Sequence, residues 1–238
     1  GLLRGSLLRR MAVRGVWSVM CMGLVIIGWA GQGRSLGSLG LGVPGSRGEF
    51  VGIGIAVAWG CVAAWAAREA TNGSLECEAC RYEMVQRVTW GLWGYGTRVP
   101  AYAPALVCFP SIAEELVCRG WLLWYCASLA VLMFGDPAAA LMQGEGAMGW
   151  SQLPAWAVWS GVGARSVIFG LLHGTRRRIG PVIFALAGGA AAGALTVLTA
   201  SLWPAIVLHV GQNAAMEGMS LRLSRMPLPS AAAKHLEE

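Results

Sequence analysis

Two adjacent carboxylates, Glu114 and Glu115, stand in an apolar run that opens at Ser111 and continues to about Phe134, and Arg119 follows four residues after the second. The whole chain of 238 residues holds only 12 Asp and Glu, so a pair inside a segment of bilayer length is a marked placement. An ionisable group at the centre of a membrane helix costs about 2.5–3.5 kcal/mol on insertion scales, which makes such a cluster a functional candidate by default. Glu115 and Arg119 have the spacing and order, acid first, that let them pair on one helix face. Glu114 points about 100° away from its neighbour on a helical period, so it can meet a different environment and serve in chemistry.

Two histidines close helix-spaced pairs further along: Phe169 and His173 in FGLLH, His209 and Asn213 in HVGQN. Residues four apart on a helix share a face, about 5–6 Å between Cβ atoms. Either imidazole alone reads as a core residue bonded to a neighbour. Two imidazoles, an amide and an acid drawn from separate apolar segments read differently, because polar groups in hydrocarbon turn toward the bundle interior and meet there. A carboxylate withdrawn from water is a better general base near neutral pH than an exposed one. Glu114 is thus suited to take a proton from a water held by His173. His209 and Asn213 are suited to donate hydrogen bonds to the oxyanion that forms when that water attacks a carbonyl. The chemistry is peptide hydrolysis without a covalent intermediate.

These residues need a scaffold in a membrane. With 56% apolar residues, 13% charged and a mean hydropathy of +0.57, the chain is too apolar for an ordinary soluble domain and reads as an all-α, polytopic transmembrane helix bundle. The net charge of +6 comes almost wholly from Arg clustered at the ends of apolar runs. That is topology signal, and without basic and aromatic residues interleaved on one surface it implies no nucleic-acid partner.

About six spans follow in order: Gly15 to Trp29, Phe50 to Ala67, Ser111 to about Phe134, Leu153 to Leu172, Ile179 to Ser201, and a last one after Trp203 and Pro204 reaching Leu221. Ser111 is a usable N-cap for the third. Both termini fall inside by the positive-inside rule, and every basic cluster agrees except Arg34 and Arg47. A Gly, Ser and Pro loop joins the first two spans. The polar stretch from Arg68 to Pro100 holds an Asn72, Gly73, Ser74 sequon and, from Tyr82 to Trp93, a candidate interfacial helix. Gly189 and Gly193 stand at small-xxx-small spacing, which lets another helix approach. Cysteines within apolar runs read as small hydrophobes, and Cys77 with Cys80, a single CxxC with no second pair, as incidental. No cleavable leader is expected.

In order and type, EELVCRG, FGLLH and HVGQN resemble the EExxxR, FxxxH and HxxxN motifs of the CPBP family of intramembrane glutamic proteases, which includes CAAX prenyl endopeptidases and bacteriocin-immunity proteins. The resemblance implies that Glu114 and His173 activate water and that His209 and Asn213 stabilise the oxyanion, with Glu115, Arg119 and Phe169 as structural support and no metal or cofactor. It divides the chain into N-terminal spans and a cytoplasmic loop over 1–100, a catalytic membrane core over 101–225, and a tail over 226–238 that resembles a vector scar. One departure is Cys118, where the family has Phe before the motif Arg. Glu217, one turn after Asn213, reads as interfacial. The implied setting is membrane lipid, a bacterial inner membrane, a site open to the cytoplasmic side and a peptide or protein substrate that can carry a lipid.

Three other classes compete. A silent scaffold in a larger membrane complex would use the fold without turnover. A zinc protease would take Glu114, His173 and His209 as ligands, although the chain lacks HExxH. A transporter would leave paired half-sequences, and none is visible. One difficulty concerns depth: the expected spans set Glu114 and His173 at the cytoplasmic edge and His209 nearer the far side. Their meeting calls for helices tilted or broken near Pro110 and Pro204.

Overall fold

The computed structural model describes residues 2–76, 103–136, 153–173 and 179–224, and every regular element among them is helical. Helix α1 spans Leu2–Ala30 and α2 spans Arg47–Glu76. Helix α3, Ala103–Glu115, runs through a π-helical segment, Leu116–Leu122, into α4, Leu123–Phe134. Then come α5, Ala155–Leu172, α6, Gly180–Thr199, and α7, Trp203–Ser224. Backbone groups in hydrocarbon must bond within their own segment, and helices do this for long apolar runs.

Four of these segments are long and apolar enough to cross a membrane: Arg47–Trp65, Phe109–Phe134, Ala155–Leu172 and Val182–Thr199. Their outward faces carry exposed large apolar side chains such as Phe50, Trp59, Leu129, Met133, Phe134, Ile168, Leu171, Phe184 and Leu198. Water would not tolerate so much apolar surface, and lipid tails would. The protein is an integral membrane protein. Among the described residues the first and last expected spans fall short of the same standard. Gly15–Ala30 is a shorter apolar stretch, and α7, though 22 residues long, holds His209, Gln212, Asn213, Glu217 and Arg222.

Three local expectations change. The helix that carries the third span is already formed at Ala103 rather than starting at a Ser111 cap, and the buried Pro110 lies inside it. Apolar residues before the proline gain more from continuing the helix than the one lost backbone bond costs. Helix α2 runs on through the sequon to Glu76, since no proline interrupts it and a lone Gly73 is a weak breaker. The loop between α1 and α2 contains a π-helical turn, Gly37–Leu41, that packs inside the bundle, where Leu39 is fully buried. The expected interfacial helix, Cys77 with Cys80, Arg176 to Arg178 and the tail lie outside the described residues, as does the side chain of Glu217.

Glycines set how closely the helices approach. A Cβ on Gly161 would lie 3.0 Å from the Ala127 nitrogen, which brings α5 against α4, and one on Gly170 would lie 3.0 Å from the Val182 carbonyl, which brings α5 against α6. Gly60 of α2 faces Gly211 of α7. Gly40, at φ 86°, accepts a hydrogen bond from the Leu202 nitrogen at 2.9 Å, and only a residue without Cβ fits that backbone and that approach. The α1–α2 loop is thereby tied to the turn between α6 and α7. Trp203 Nε1 adds a bond to the Gly42 carbonyl at 2.8 Å. Val25, Trp29, Leu39, Leu116, Leu202 and Ile206 form one apolar core at this junction, so the first fifty residues help to hold α7 against the π segment.

Candidate active site

The site grows from the junction of α3 with the π segment. Glu115 is fully buried, while the Glu114 side chain is 33% exposed, so the one-residue step on the helix does put the two acids in different surroundings. Glu115 Oε1 accepts from the Arg119 guanidinium, the pairing expected from their spacing, and Arg119 is itself buried at 2% exposure. The π segment that follows Glu115 and contains Arg119 was not legible from the pattern of apolar residues. Its wider turn brings residues four apart more nearly into line, and π turns recur at functional sites. Gly120 gives Leu39 room against this turn: a Cβ there would lie 2.9 Å from the leucine Cδ1.

Helix α7 delivers His209 between the two acids. Its Nδ1 lies 2.6 Å from Glu115 Oε1 and its Nε2 lies 3.7 Å from Glu114 Oε2. A neutral imidazole donates from one nitrogen only, so serving both carboxylates as a donor calls for hydrogens on both. Glu115, expected to act only through Arg119, thus touches an imidazole of the site directly. Its second oxygen, Oε2, is buried and has no hydrogen-bond partner among the described residues.

One turn further along α7, Asn213 Nδ2 donates to Ser111 Oγ at 2.8 Å. The serine is fully buried and anchors the amide to α3. Asn213 has a second Nδ2 hydrogen, so this bond leaves donor capacity for another acceptor.

Helix α5 brings the remaining imidazole. His173 is the last residue of its turn, with φ −90° and ψ 0°, and its ring is exposed. Its Nδ1 lies 2.8 Å from the Phe169 carbonyl, an acceptor only, so Nδ1 carries the hydrogen and, in the neutral ring, Nε2 presents a lone pair. The Phe169 ring joins the groups: its centroid is 4.3 Å from that of His173 and 6.3 Å from that of His209, and Arg119 Cζ sits 4.7 Å from it. Cys118, Phe169 and Ala185 pack as one buried cluster beneath, so Cys118 fills space beside the phenylalanine. Through these contacts His209 reaches both acids and the Phe169 ring reaches both imidazoles.

Sequence reasoning missed Ser111 as the partner of Asn213, and it missed Arg165. The second had a signal, since Arg165 is the only charged residue between Leu153 and Leu172. Among the described residues no group of three His, Cys, Asp or Glu is arranged to hold a metal ion.

Set beside known families, the chain matches the family model of type II CAAX prenyl endopeptidases, Rce1-like, over residues 97–215, half of its length. The chain belongs to the Rce1-like family. The matched region begins shortly before α3 and ends within α7, so it spans every residue of the site. Membership supports a membrane protease of the CAAX type, working on a peptide in a lipid environment. Comparison with curated proteins found no match, and comparison with solved structures found none.

Proposed function

We propose that this Rce1-like protein hydrolyses a peptide bond with a water activated by Glu114 and His173, while His209 and Asn213 hold the oxyanion. Glu114 is the more exposed of the two acids and lies beside His209, so it has access to water and a polar neighbour at once. His173 offers Nε2 as a proton acceptor because Phe169 engages its other nitrogen. As water attacks the carbonyl carbon, its proton passes to the Glu114–His173 side and the carbonyl oxygen gains charge facing the Asn213 amide and the Nε2–H of His209. The Nδ1–H of His209 stays on Glu115, while Nε2 is 3.7 Å from Glu114, too far for a hydrogen bond. Return of the proton to the leaving nitrogen breaks the C–N bond, and both products leave as acid and amine.

The observation that carries this reading is the seating of one imidazole between two carboxylates of different burial. The family name points to a lipidated C-terminal peptide as substrate class. We further assign residues 101–225 as the catalytic core, with 1–100 as spans that brace it, in a bacterial inner membrane with the site open to the cytoplasmic side. Supports for the last points are the Arg clusters and the near absence of Lys.

Cleavage of a farnesylated, internally quenched peptide ending in a CAAX sequence tests the reading in lipid nanodiscs. Replacing a general base costs about 10²–10⁴ in rate, so Glu114→Gln should lose at least a hundredfold with its unfolding temperature unchanged. Cleavage at the wild-type rate by Glu114→Gln would remove Glu114 from the chemistry.

A further inference from the structure

Arg165 sits in the middle of a membrane span and is fully buried, yet the hydrolytic scheme makes no use of it. An arginine at such depth is costly, and it persists only where something is gained. Its hydrogen bonds reach no carboxylate: Nη2 donates to the Gly189 carbonyl at 2.6 Å and to Ser166 Oγ at 3.2 Å. Nε and Nη1 have no hydrogen-bond partner among the described residues. Ser166 Oγ in turn donates to the Val162 carbonyl at 2.6 Å. The α6 backbone is shaped around this group, because a Cβ on Gly193 would overlap Nη2. Gly189 and Gly193 admit α5 as their spacing suggests: Gly189 faces Ser166 and Phe169, and Gly193 makes room for Val162 and the Arg165 guanidinium.

Residues 165, 169 and 173 follow at four-residue steps on one side of α5. The apolar contacts between α5 and α6 are non-directional and leave the rotation of α5 about its axis loosely set. A charged donor on a backbone carbonyl is directional and fixes that rotation.

We propose that Arg165 is a positioning residue. By holding the Gly189 carbonyl it keeps α5 at the rotation where the Phe169 ring lies against both the His173 and the His209 imidazoles. The inference rests on the hydrolytic reading of the site.

Three variants and two readouts test it. Arg165→Met removes the donor, Arg165→Lys restores one, and Gly193→Ala leaves the arginine in place but pushes its guanidinium off the carbonyl. A misplacement of about 1 Å can cost on the order of a hundredfold, so Arg165→Met and Gly193→Ala should each lower kcat by tenfold or more with KM little changed. Arg165→Lys should recover part of the loss, and the Met and Ala changes together should cost no more than the larger one alone. The second readout is independent of turnover: the imidazole nitrogen NMR signals of isotope-labelled His173 should move in both Arg165→Met and Gly193→Ala. Wild-type kcat and unmoved His173 signals in folded Gly193→Ala would overturn the proposal even if Arg165→Met failed to fold. Glu114→Gln is measured alongside. If wild-type cleavage does not depend on Glu114, the hydrolytic reading falls, and the His173 signals alone decide the role of Arg165.

Discussion

Two arginines of this bundle, Arg119 in the π segment and Arg34 in a loop, are held by opposite means. Arg119 pairs with the buried Glu115, stacks over Phe169 and so joins a network that reaches both imidazoles. Arg34, in the loop after α1, lies over ring faces: its Cζ is 3.8 Å from the Trp124 centroid and 4.7 Å from that of Trp29. The two indoles meet edge to face at 5.5 Å, and Trp29 Nε1 donates to the Ser35 carbonyl and to Ser38 Oγ. A carboxylate partner carries a charge's influence onward through hydrogen bonds, whereas aromatic faces stabilise a cation without passing it on. The first arrangement couples to the site and the second pins a loop. The contrast also explains why Arg34 broke the pattern of basic clusters, since the rings that cover it make its position one of packing.

The contrast can be broken most readily at Glu115. Its replacement by Ala leaves Arg119 buried without its acid and should cost about 3–5 kcal/mol, read as a fall in unfolding free energy in detergent micelles, with cleavage lost as well. An unfolding curve like the wild type would mean that the pair contributes nothing to the bundle. Arg119→Lys keeps the charge but loses the guanidinium, which bonds Glu115 through Nη1 while its Cζ lies over the Phe169 ring. A loss of about 1.5–3 kcal/mol is expected, the worth of a charged hydrogen bond, with kcat/KM falling alongside. Equal activity in the Lys form would show that charge alone suffices.

Ser111→Ala sharpens the comparison at the other end of the site. The Asn213 amide loses one hydrogen bond, worth about 1 kcal/mol net, and kcat should fall roughly fivefold while KM holds. Arg34→Ala should have the smallest effect, about 0.5–1 kcal/mol on unfolding and none on kcat. A drop in kcat there would mean that the indole cage also communicates with the imidazoles.

Much of the site was readable in the chain because polar residues in apolar segments are few and their helical spacing is explicit. Glu115 with Arg119, and Phe169 with His173, meet as their four-residue separations require. Contacts between segments were not readable in this way. That His209 would seat between both acids, rather than apart from Glu115, depends on the rise of α7 relative to α3. Ser111 looked like a helix cap because a hydroxyl after a proline favours that role, yet the helix extends past it and frees the hydroxyl for Asn213. The loop of Gly, Ser and Pro carried no sign that Leu39 would enter the core, since its burial is earned from residues 77 to 167 positions away, on the π segment and α7.

By itself, the order of residues determined that this is a helical membrane protein of the Rce1-like family, and it named the few polar side chains that the bundle must keep from lipid. Periodicity and hydropathy act along one helix, so one chain suffices to read them. Tertiary structure alone decided which acid touches which imidazole, where the helix widens into a π turn, and that a glycine stripe receives Arg165. Those outcomes depend on the rotation and depth of helices relative to one another, which close glycine contacts and directional hydrogen bonds set only when the bundle assembles.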